Sequence, residues 1–149
     1  MQVQDIMTRD PVCVEPESSL EAVAQMMVEC DCGAIPVCDA RTGEVVGIVT
    51  DRDIVVRTLA KGLDALEMMA LDAMTPNPHT LKPQASAEEC IRMMEEYKVR
   101  RIPITDEQGG LLGIVSQADI VRKVIAAQPE MTEEFEEALE EISEPKMSV

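Results

Sequence analysis

The chain repeats one pattern twice, and this duplication limits its fold more than any other feature of the sequence. Asp5-Ile6-Met7-Thr8 aligns with Asp72-Ala73-Met74-Thr75 at an offset that then stays constant. The same offset pairs Pro11 with Pro78, Pro16 with Pro83, Ser19 with Ser86, Met26-Met27 with Met93-Met94, Ile35-Pro36 with Ile102-Pro103, and Asp39 with Asp106. A long repeat that occurs only twice predicts two similar lobes packed together rather than a solenoid.

The best-matched part of the duplication follows a one-residue deletion. The first copy reads Val46-Gly47-Ile48-Val49-Thr50-Asp51-Arg52-Asp53-Ile54, and the second reads Leu112-Gly113-Ile114-Val115-Ser116-Gln117-Ala118-Asp119-Ile120. Each copy predicts a buried strand that leads into a helix, with a hydroxyl residue and a carboxylate where the two meet. We call Thr50-x-x-Asp53 the first junction and Ser116-x-x-Asp119 the second junction.

Each repeat is predicted to fold as β-α-β-β-α, which makes the chain an α/β (α+β) protein. The expected strands are residues 12–14, 34–38, 45–49, 79–81, 102–105 and 111–115. Capping boxes of Ser18 with Glu21 and of Ser86 with Glu89 mark the starts of two helices. Another helix is expected over residues 52–61, ending at Gly62. Because a lobe of about sixty residues is marginally stable alone, we expect the two lobes to pack into one domain.

The domain boundaries follow from the repeats. We expect repeat 1 at residues 1–62, a linker at 63–71, repeat 2 at 72–127 and an acidic tail at 128–149. The tail is predicted to form a helix over about residues 131–142, docked on its own protein or on a second subunit, with a frayed solvated helix as the alternative. The residues sharing its apolar face are Met131, Phe135, Leu139 and Ile142.

Composition excludes several classes of function. The net charge of -16 argues against nucleic-acid and anionic-membrane partners, which bind Lys and Arg. No apolar stretch reaches transmembrane length, and the N-terminus lacks signal-peptide features, so a cytoplasmic protein is expected. With one histidine and no recognisable nucleophile and base pair, the sequence predicts no enzyme. Five cysteines with a C-x-C at residues 30–32 give only a weak indication of a metal site.

The two junctions allow two interpretations. Ser/Thr-x-x-Asp before an apolar run is close to a helix capping box, which would make these residues purely structural. Their recurrence in both repeats, and Gly47 and Gly113 inside the strands, instead favour ligand binding, because glycine in a strand often marks the close approach of a backbone or ligand. A strand end that meets a helix start is also where anions and nucleotides tend to bind.

The two junctions resemble the signature of CBS domains, named for cystathionine β-synthase. The segments 33–37 and 100–104 and the Met-Thr opening of each repeat also resemble that family, over about residues 3–125. The chain most resembles small stand-alone CBS-pair proteins of the hypoxic response protein type. The resemblance implies a pair packed by pseudo-two-fold symmetry and a homodimer that forms a four-repeat disc. It also implies regulation of another, unidentified protein, as an energy or stress sensor.

The resemblance also implies an adenosine ligand such as AMP, ADP, ATP or S-adenosylmethionine. By this resemblance, Asp53 and Asp119 would accept hydrogen bonds from ribose hydroxyls, and Thr50 and Ser116 would contact phosphate or ribose. Ile35 and Ile102 would lie against the purine. Arg100 and Arg101 resemble a basic pair that binds phosphate, whereas repeat 1 has Gly33-Ala34 there. We predict a phosphate site that combines both arginines with Thr50 and Asp53, leaving the second junction weaker or empty. Pairing within repeat 2, with Ser116 and Asp119, is the alternative.

The cysteines support a competing hypothesis. Cys13 and Cys38 lie on the first two predicted strands of repeat 1, where repeat 2 has Thr80 and Thr105. Neighbouring strands would place the two thiols within reach of a disulfide if their side chains face the same way. A cysteine-based redox or metal-responsive protein without a nucleotide ligand is therefore the alternative function.

Overall fold

The computed structural model describes residues 1–143, and the chain within it forms two compact units. The repeat-1 unit contains residues 10–78 and 107–111. The repeat-2 unit contains residues 1–9, 79–106 and the chain from residue 112 onward. Each unit is therefore built around one repeat and includes a segment from outside it. The predicted boundaries delimit sequence repeats rather than compact units, and they stay a prediction.

Helices and two small sheets make up both units. The helices are α1 (Val3–Ile6), α2 (Leu20–Cys30), α3 (Asp51–Arg57), α4 (Ala70–Ala73), α5 (Ala87–Tyr97), α6 (Gln117–Asp119) and α7 (Thr132–Ser143). The strands are β1 (Thr8–Arg9), β2 (Ala34–Cys38), β3 (Val45–Thr50), β4 (Thr75–Pro76), β5 (Arg101–Thr105) and β6 (Leu111–Ser116). Single 3-10 turns form at Leu59–Lys61, Ala65–Glu67 and Pro129–Met131, and a π-helix, Ile120–Ile125, continues α6. The mixed α/β class is confirmed.

In the repeat-1 unit the sheet has the order β2-β3-β4, and its pairs are antiparallel. Strand β3 is central, with Ile35 opposite Val49 on one side and Thr75 opposite Ile48 on the other. Every residue of β2 is buried, as its continuous apolar sequence predicts. The core of this unit consists of Val14, Leu20, Val23, Ile35, Val37, Val49, Ala70, Ala73 and Met74.

In the repeat-2 unit the sheet has the order β1-β6-β5, so the N-terminal segment supplies an edge strand. Thr8 lies opposite Ile114 and Arg9 opposite Gly113. Its hydrophobic core includes Ile6, Ile91, Met94, Ile102, Ile104, Ile120 and Phe135. None of the helices within residues 1–143 is both long and apolar enough to cross a membrane.

Strands β2, β3, β5 and β6 were predicted to within one residue, but the strands predicted at residues 12–14 and 79–81 were not correct. These segments form only the isolated parallel bridges Val14 to Val37 and Leu81 to Ile104. Prolines at both ends of each segment limit pairing, because proline cannot donate to a ladder. Strands β1 and β4 were not predicted, because they are too short for a recognisable apolar pattern.

The helix ends depart from prediction at two places. Ser19, not Ser18, caps α2 by accepting a hydrogen bond from Ala22 N at 3.1 Å, while Ser18 Oγ accepts from Glu15 N at 3.0 Å. The helix expected over residues 52–61 stops at Arg57 and continues as a 3-10 turn. Ser86 caps α5 as predicted, accepting from Glu89 N at 3.0 Å, and Gly62, with a φ of 71°, ends the 3-10 turn.

The tail helix docks on its own chain, which is one of the two predicted outcomes. Helix α7 packs against α5 and buries Phe135 and Ile142 in the core of the repeat-2 unit. Lys98, at the end of α5, donates a hydrogen bond to the backbone oxygen of Glu141 at 2.9 Å. Residues 144–149 of the predicted tail lie outside the described residues.

Candidate functional site

Equivalent backbone hydrogen bonds tie each junction to the start of an Ile-Pro strand in its own unit. Asp51 N donates to Gly33 O at 3.0 Å, and Gln117 N donates to Arg100 O at 3.0 Å. The second junction therefore lies beside Arg100, as in the within-repeat alternative. The grouping of the arginines with Thr50 and Asp53 stays a prediction.

The first junction is a complete capping box at the start of α3. Thr50 N donates to Asp53 Oδ2 at 3.0 Å, and Asp53 N donates to Thr50 Oγ1 at 3.0 Å. The other carboxylate oxygen, Oδ1, lies 3.9 Å from Arg57 Nε. Arg57 also donates to the backbone oxygen of Met74 at 2.6 Å, so its guanidinium helps to hold the segment before β4. Asp53 is only partly buried and has spare acceptor capacity.

The second junction has the same geometry with a more buried carboxylate. Ser116 N and Ser116 Oγ each lie 2.9 Å from Asp119 Oδ2, and Asp119 N donates to Ser116 Oγ at 3.2 Å. Arg122 Nη2 donates to Asp119 Oδ1 at 3.2 Å. Asp119 is 2% exposed, whereas the Arg122 side chain is 69% exposed. An exposed arginine is easily displaced, because its hydrogen bond competes with water.

The capping interpretation of both junctions is thus confirmed. In each capping box the backbone N–H of the hydroxyl residue donates to Oδ2, and Oδ1 faces an arginine. A ribose hydroxyl that donates to Oδ1 would leave the cap intact, and at the second junction it would replace the N–H of Arg122. Ribose binding by Asp53 and Asp119 stays a prediction.

Ile35 and Ile102 are core residues. Both have 0% exposure and belong to the hydrophobic cores of their units. Their predicted contact with a purine needs exposed surface, which neither side chain has in this structure. The sequence pattern does not distinguish these two positions, because an apolar strand residue beside a site looks the same whether it faces the core or the ligand.

The glycines of the two junction strands fit close protein packing. A Cβ added at Gly113 would lie 2.9 Å from the backbone oxygen of Thr8, and one added at Gly47 would lie 3.1 Å from that of Thr75. In both cases the sulfur of a neighbouring methionine, Met7 or Met74, would be closer still. A glycine in a strand can mark the close approach of a backbone or of a ligand, and the close approach of a backbone is the one observed here.

Two residues that the sequence analysis did not select lie at the junctions. Asp51 Oδ2 is 3.2 Å from where a Cβ on Gly33 would stand. The corresponding residue in repeat 2 is Gln117, whose Nε2 is buried without a hydrogen-bond partner among the described residues. They occupy the variable positions of Ser/Thr-x-x-Asp, so the motif gave no signal. A comparison of the two repeats at these positions would have identified them, since one is an acid and the other an amide.

Cys13 and Cys38 lie side by side as free thiols, so the predicted disulfide is not formed in this structure. A hydrogen bond joins their side chains, and burial, with Cys13 contributing, raises the pKa of Cys38 to about 12. A thiol with that pKa is almost wholly protonated at neutral pH and is a poor nucleophile. The pair borders a cavity of about 410 Å³ in the repeat-1 unit, next to Asp10 and Asp39 and away from the junctions.

No metal site is formed by the described residues. Within residues 1–143, no three His, Cys, Asp or Glu side chains lie close enough together to hold an ion. The ring of His79 stacks on Tyr97, with ring centroids 3.5 Å apart and planes 10° apart.

Comparisons with known proteins agree with this architecture. The CBS domain family model matches residues 3–59 and 64–126. Hypoxic response protein 1 of Mycobacterium tuberculosis is 40% identical over 119 residues, covering 80% of this chain and 82% of that protein. The crystal structure of Hypoxic Response Protein I with two coordinated zinc ions has a TM-score of 0.74 and 39% identity, covering 83% and 98% of the two chains. The crystal structure of CBSX2 in complex with AMP has a TM-score of 0.77 and 26% identity, covering 85% and 98%.

Proposed function

Because the chain belongs to the CBS domain family, with two copies in tandem, we propose that it is a regulatory module that binds an adenine nucleotide at its second junction. The observation that carries this proposal is the hydrogen bond from Gln117 N to Arg100 O at 3.0 Å. This bond joins the backbone of Arg100, the neighbour of Arg101, to the residue that follows Ser116 at the second junction. AMP binding by the relative CBSX2 supports the choice of an adenine ligand.

The charges at the second junction suit a phosphate. The protein has a net charge of -16, so an anionic ligand needs local cations to hold it. Arg122 donates to Asp119 at this junction, and the proposed site adds Arg100 and Arg101, which lie at the start of β5. Guanidinium groups bind phosphate oxygens in a bidentate manner, which gives both affinity and orientation.

The carboxylate of Asp119 suits the ribose of the same ligand. Its Oδ2 is committed to the cap, while among the described residues Oδ1 has only the exposed Arg122 as a hydrogen-bond partner. Ribose hydroxyls that replace this arginine would free its guanidinium to approach the phosphate. The binding step would thus exchange one charge-assisted hydrogen bond for another and add a cation at the anionic end of the ligand.

Calorimetric titration with AMP and with adenosine tests the proposal. Arg101→Ala should weaken AMP binding by about 1.5–3 kcal/mol, the value of a hydrogen bond to a charged group, and leave adenosine binding unchanged. Arg41→Ala, an exposed arginine in the β2–β3 turn, is the matched control and should change neither affinity. Equal losses for both ligands would mean that Arg101 does not hold a phosphate. Absence of binding of either ligand to the wild-type chain would refute the proposal.

The same titration separates the two groupings of residues. Asp119→Asn and Asp53→Asn each keep a side chain that can cap a helix and remove one negative charge. If the arginines act with Asp119, then Asp119→Asn and Arg101→Ala should couple in a double-mutant cycle for AMP, and Asp53→Asn should add independently. The reverse pattern would support the grouping with Thr50 and Asp53.

We also propose that the module senses cellular energy or stress, with AMP, ADP and ATP competing for the site. Its output would pass to a separate regulated protein, through a homodimer. The apolar groove on α2 supports dimerisation: Val28 is 81% exposed and Leu66 67% exposed. Light scattering should show a dimer that Val28→Glu with Leu66→Glu dissociates, because a buried unpaired charge destabilises an interface. A monomeric wild-type chain would contradict this proposal.

The contact between Cys13 and Cys38 favours a second candidate function, redox sensing. Two thiols within hydrogen-bond distance could form a disulfide with little movement of the backbone. The raised pKa of Cys38 makes that reaction slow at neutral pH, so a strong oxidant is required. Intact-mass spectrometry after oxidant treatment should show the loss of two hydrogens in the wild type and not in Cys13→Ser. A Cys13→Ser variant that loses the same mass would contradict this pairing.

A further inference from the structure

We infer that the groove between α2 and the Ala65–Glu67 turn binds a basic amphipathic helix of the protein that this module regulates. This inference rests on the proposed function, because it assumes a separate regulated partner. It concerns a helical face of the repeat-1 unit, which lies outside the proposed nucleotide site. It specifies the chemistry of the segment through which the partner would be recognised.

The groove is open and largely apolar. Its cavity of about 280 Å³ is bounded by Leu20, Ala24 and Val28 of α2, by Ile54 of α3, and by Ala65 and Leu66 of the turn. Val28 and Leu66 are both largely exposed. Because exposed apolar side chains grouped on one face are typical of protein interaction sites, this face is suited to a partner.

The equivalent face of repeat 2 shows what such a groove holds. Helix α5, the counterpart of α2, packs against α7 of the same chain. Helix α7 and the turn before it bury apolar side chains at the spacing i, i+4, i+7 and i+11, namely Met131, Phe135, Ala138 and Ile142. An amphipathic helix that places such a face in an apolar groove is a common mode of recognition between proteins. We therefore expect a helix on α2 as well.

The charges on α2 differ from those on α5. Helix α5 and its C-terminal cap carry two basic residues, Arg92 and Lys98. Lys98 Nζ lies 3.5 Å from Glu141 Oε2 of the acidic α7. The matching residues of repeat 1 are Gln25 and Asp31, so neither cation is present there. An acidic helix such as α7 would meet a carboxylate at Asp31 instead of an ammonium group.

The walls of the groove are acidic throughout. Helix α2, the Ala65–Glu67 turn and their caps contain five carboxylates and no basic residue: Glu21, Glu29, Asp31, Asp64 and Glu67. Helix α3 adds two aspartates and two arginines, which leave this balance unchanged. Charges at the rim of an interface select partners of opposite sign and disfavour those of like sign. The helix that fits this groove is therefore basic on its polar face.

A partner helix would compete with a second copy of the chain, because the proposed dimer uses the same groove. Two chains that pair through α2 bring two acidic rims together, whereas a basic helix neutralises one. Binding of the partner should therefore convert the dimer into a complex of one chain with one helix.

Two synthetic peptides test the inference on the full chain. The glutamate peptide has the sequence of residues 129–142, and the lysine peptide has lysine in place of every glutamate. Fluorescence anisotropy should show one lysine peptide bound per chain, at least about tenfold more tightly than the glutamate peptide, because several rim charges change sign. Light scattering should show that excess lysine peptide dissociates the dimer.

Substitutions separate the apolar contacts from the charges. Val28→Ser with Leu66→Ser should weaken lysine-peptide binding by about tenfold or more, since two apolar contacts are lost without a change of charge. Asp31→Lys, which copies repeat 2, should weaken it by about threefold to fivefold and strengthen glutamate-peptide binding by a similar factor. Glu107→Lys makes an equal charge change at an exposed residue of the β5–β6 turn, so it is the matched control and should change both affinities by less than about twofold.

The outcomes distinguish this inference from the proposed function. A chain that binds AMP but not the lysine peptide would overturn the inference and leave the nucleotide site standing. A dimer that excess lysine peptide leaves intact would assign the groove to a second copy, which also overturns it. So would equal binding of a lysine peptide with the same residues in scrambled order, because attraction by net charge alone would then suffice. Binding of the lysine peptide at α2 without binding of AMP would refute the proposed function and leave this inference standing.

Discussion

The two repeats bury equivalent helices to different depths. Helix α5 buries four side chains, whereas its counterpart α2 buries only Leu20 and Val23. Ile91 is 1% exposed, yet the matching residue of α2, Ala24, is exposed. Helix α7 explains this difference, because it packs on α5 and has no counterpart in repeat 1, where α2 instead borders an open apolar cavity of about 280 Å³. The duplication therefore specifies the strands and junctions, and a segment outside it determines which helix is covered.

The helix ends show why the tail associates with repeat 2. Lys98 and Asp31 occupy equivalent positions, and both end their helices in the left-handed conformation, with φ of 51° and 49°. Lys98 donates to Glu141 O and forms an ion pair with the Glu141 carboxylate at 3.5 Å. An aspartate at that position would repel the acidic α7. One charge difference between the repeats thus favours docking of the tail on α5.

Removal of the tail's largest apolar side chain should show the greatest difference between the units. Phe135 is 3% exposed in the repeat-2 core, so Phe135→Ala should lower the free energy of unfolding by about 3–5 kcal/mol, from lost burial and the cavity left behind. Val28→Ala on α2, measured at a protein concentration at which the chain is monomeric, should change it by less than about 0.5 kcal/mol, because that side chain is then solvated. Urea denaturation measures both variants. A small effect of Phe135→Ala would mean that α7 does not stabilise its unit.

The junction strands should behave alike, in contrast to the helices. Gly113→Ala and Gly47→Ala each place a Cβ against a backbone oxygen and a methionine sulfur. Each should destabilise the protein by about 1–3 kcal/mol through overpacking, with the larger loss at Gly113, where the backbone oxygen is nearer. The midpoints of urea unfolding give both values. If only one substitution destabilises the chain, the two strands are not packed equivalently.

A buried thiol should make the repeat-2 unit sensitive to alkali. Burial, with smaller contributions from the charges of Glu89 and Asp119, raises the pKa of Cys90 from 9.0 to about 12. The folded state therefore favours the protonated thiol. The stability of the folded protein keeps its full value with respect to this thiol below pH 9 and falls as the pH rises towards 12. At pH 10 the free energy of unfolding should be lower by about 1.4 kcal/mol because of this thiol.

Cys90→Val isolates this effect, because the equivalent residue of α2 is Val23. The variant should show a smaller fall in unfolding free energy between pH 8 and pH 10 than the wild type, by about 1.4 kcal/mol. The comparison of the two chains cancels the titration of lysines and Tyr97. Parallel pH profiles would mean that Cys90 ionises as readily in the folded chain as in the unfolded one.

Sequence patterns predicted the parts of the fold that local chemistry determines. The alternation and apolar runs located β2, β3, β5 and β6, and Ser/Thr-x-x-Asp located both capping boxes, because strand burial and helix capping depend on neighbouring residues. The pairing of Thr8 with Ile114 could not be predicted in this way, since it joins residues distant in the chain. The burial of Ile102 and the position of Asp51 over Gly33 depend on tertiary packing, which a single sequence does not encode in any local pattern.

The smallest expected effect tests whether the two helix ends differ only through the tail. A left-handed conformation costs a non-glycine residue about 1 kcal/mol or more, although aspartate tolerates it better than most. Asp31→Gly should therefore stabilise the protein by up to about 1 kcal/mol, since no hydrogen bond of the Asp31 side chain is found within the described residues. Lys98→Gly gains the same relief but loses the hydrogen bond and ion pair to Glu141, together worth about 1 kcal/mol, so its net effect should be close to zero. Thermal unfolding of both variants gives the comparison. Equal stabilisation would mean that the Lys98 contacts add nothing to docking, and the apolar face of α7 alone would then account for its position on α5.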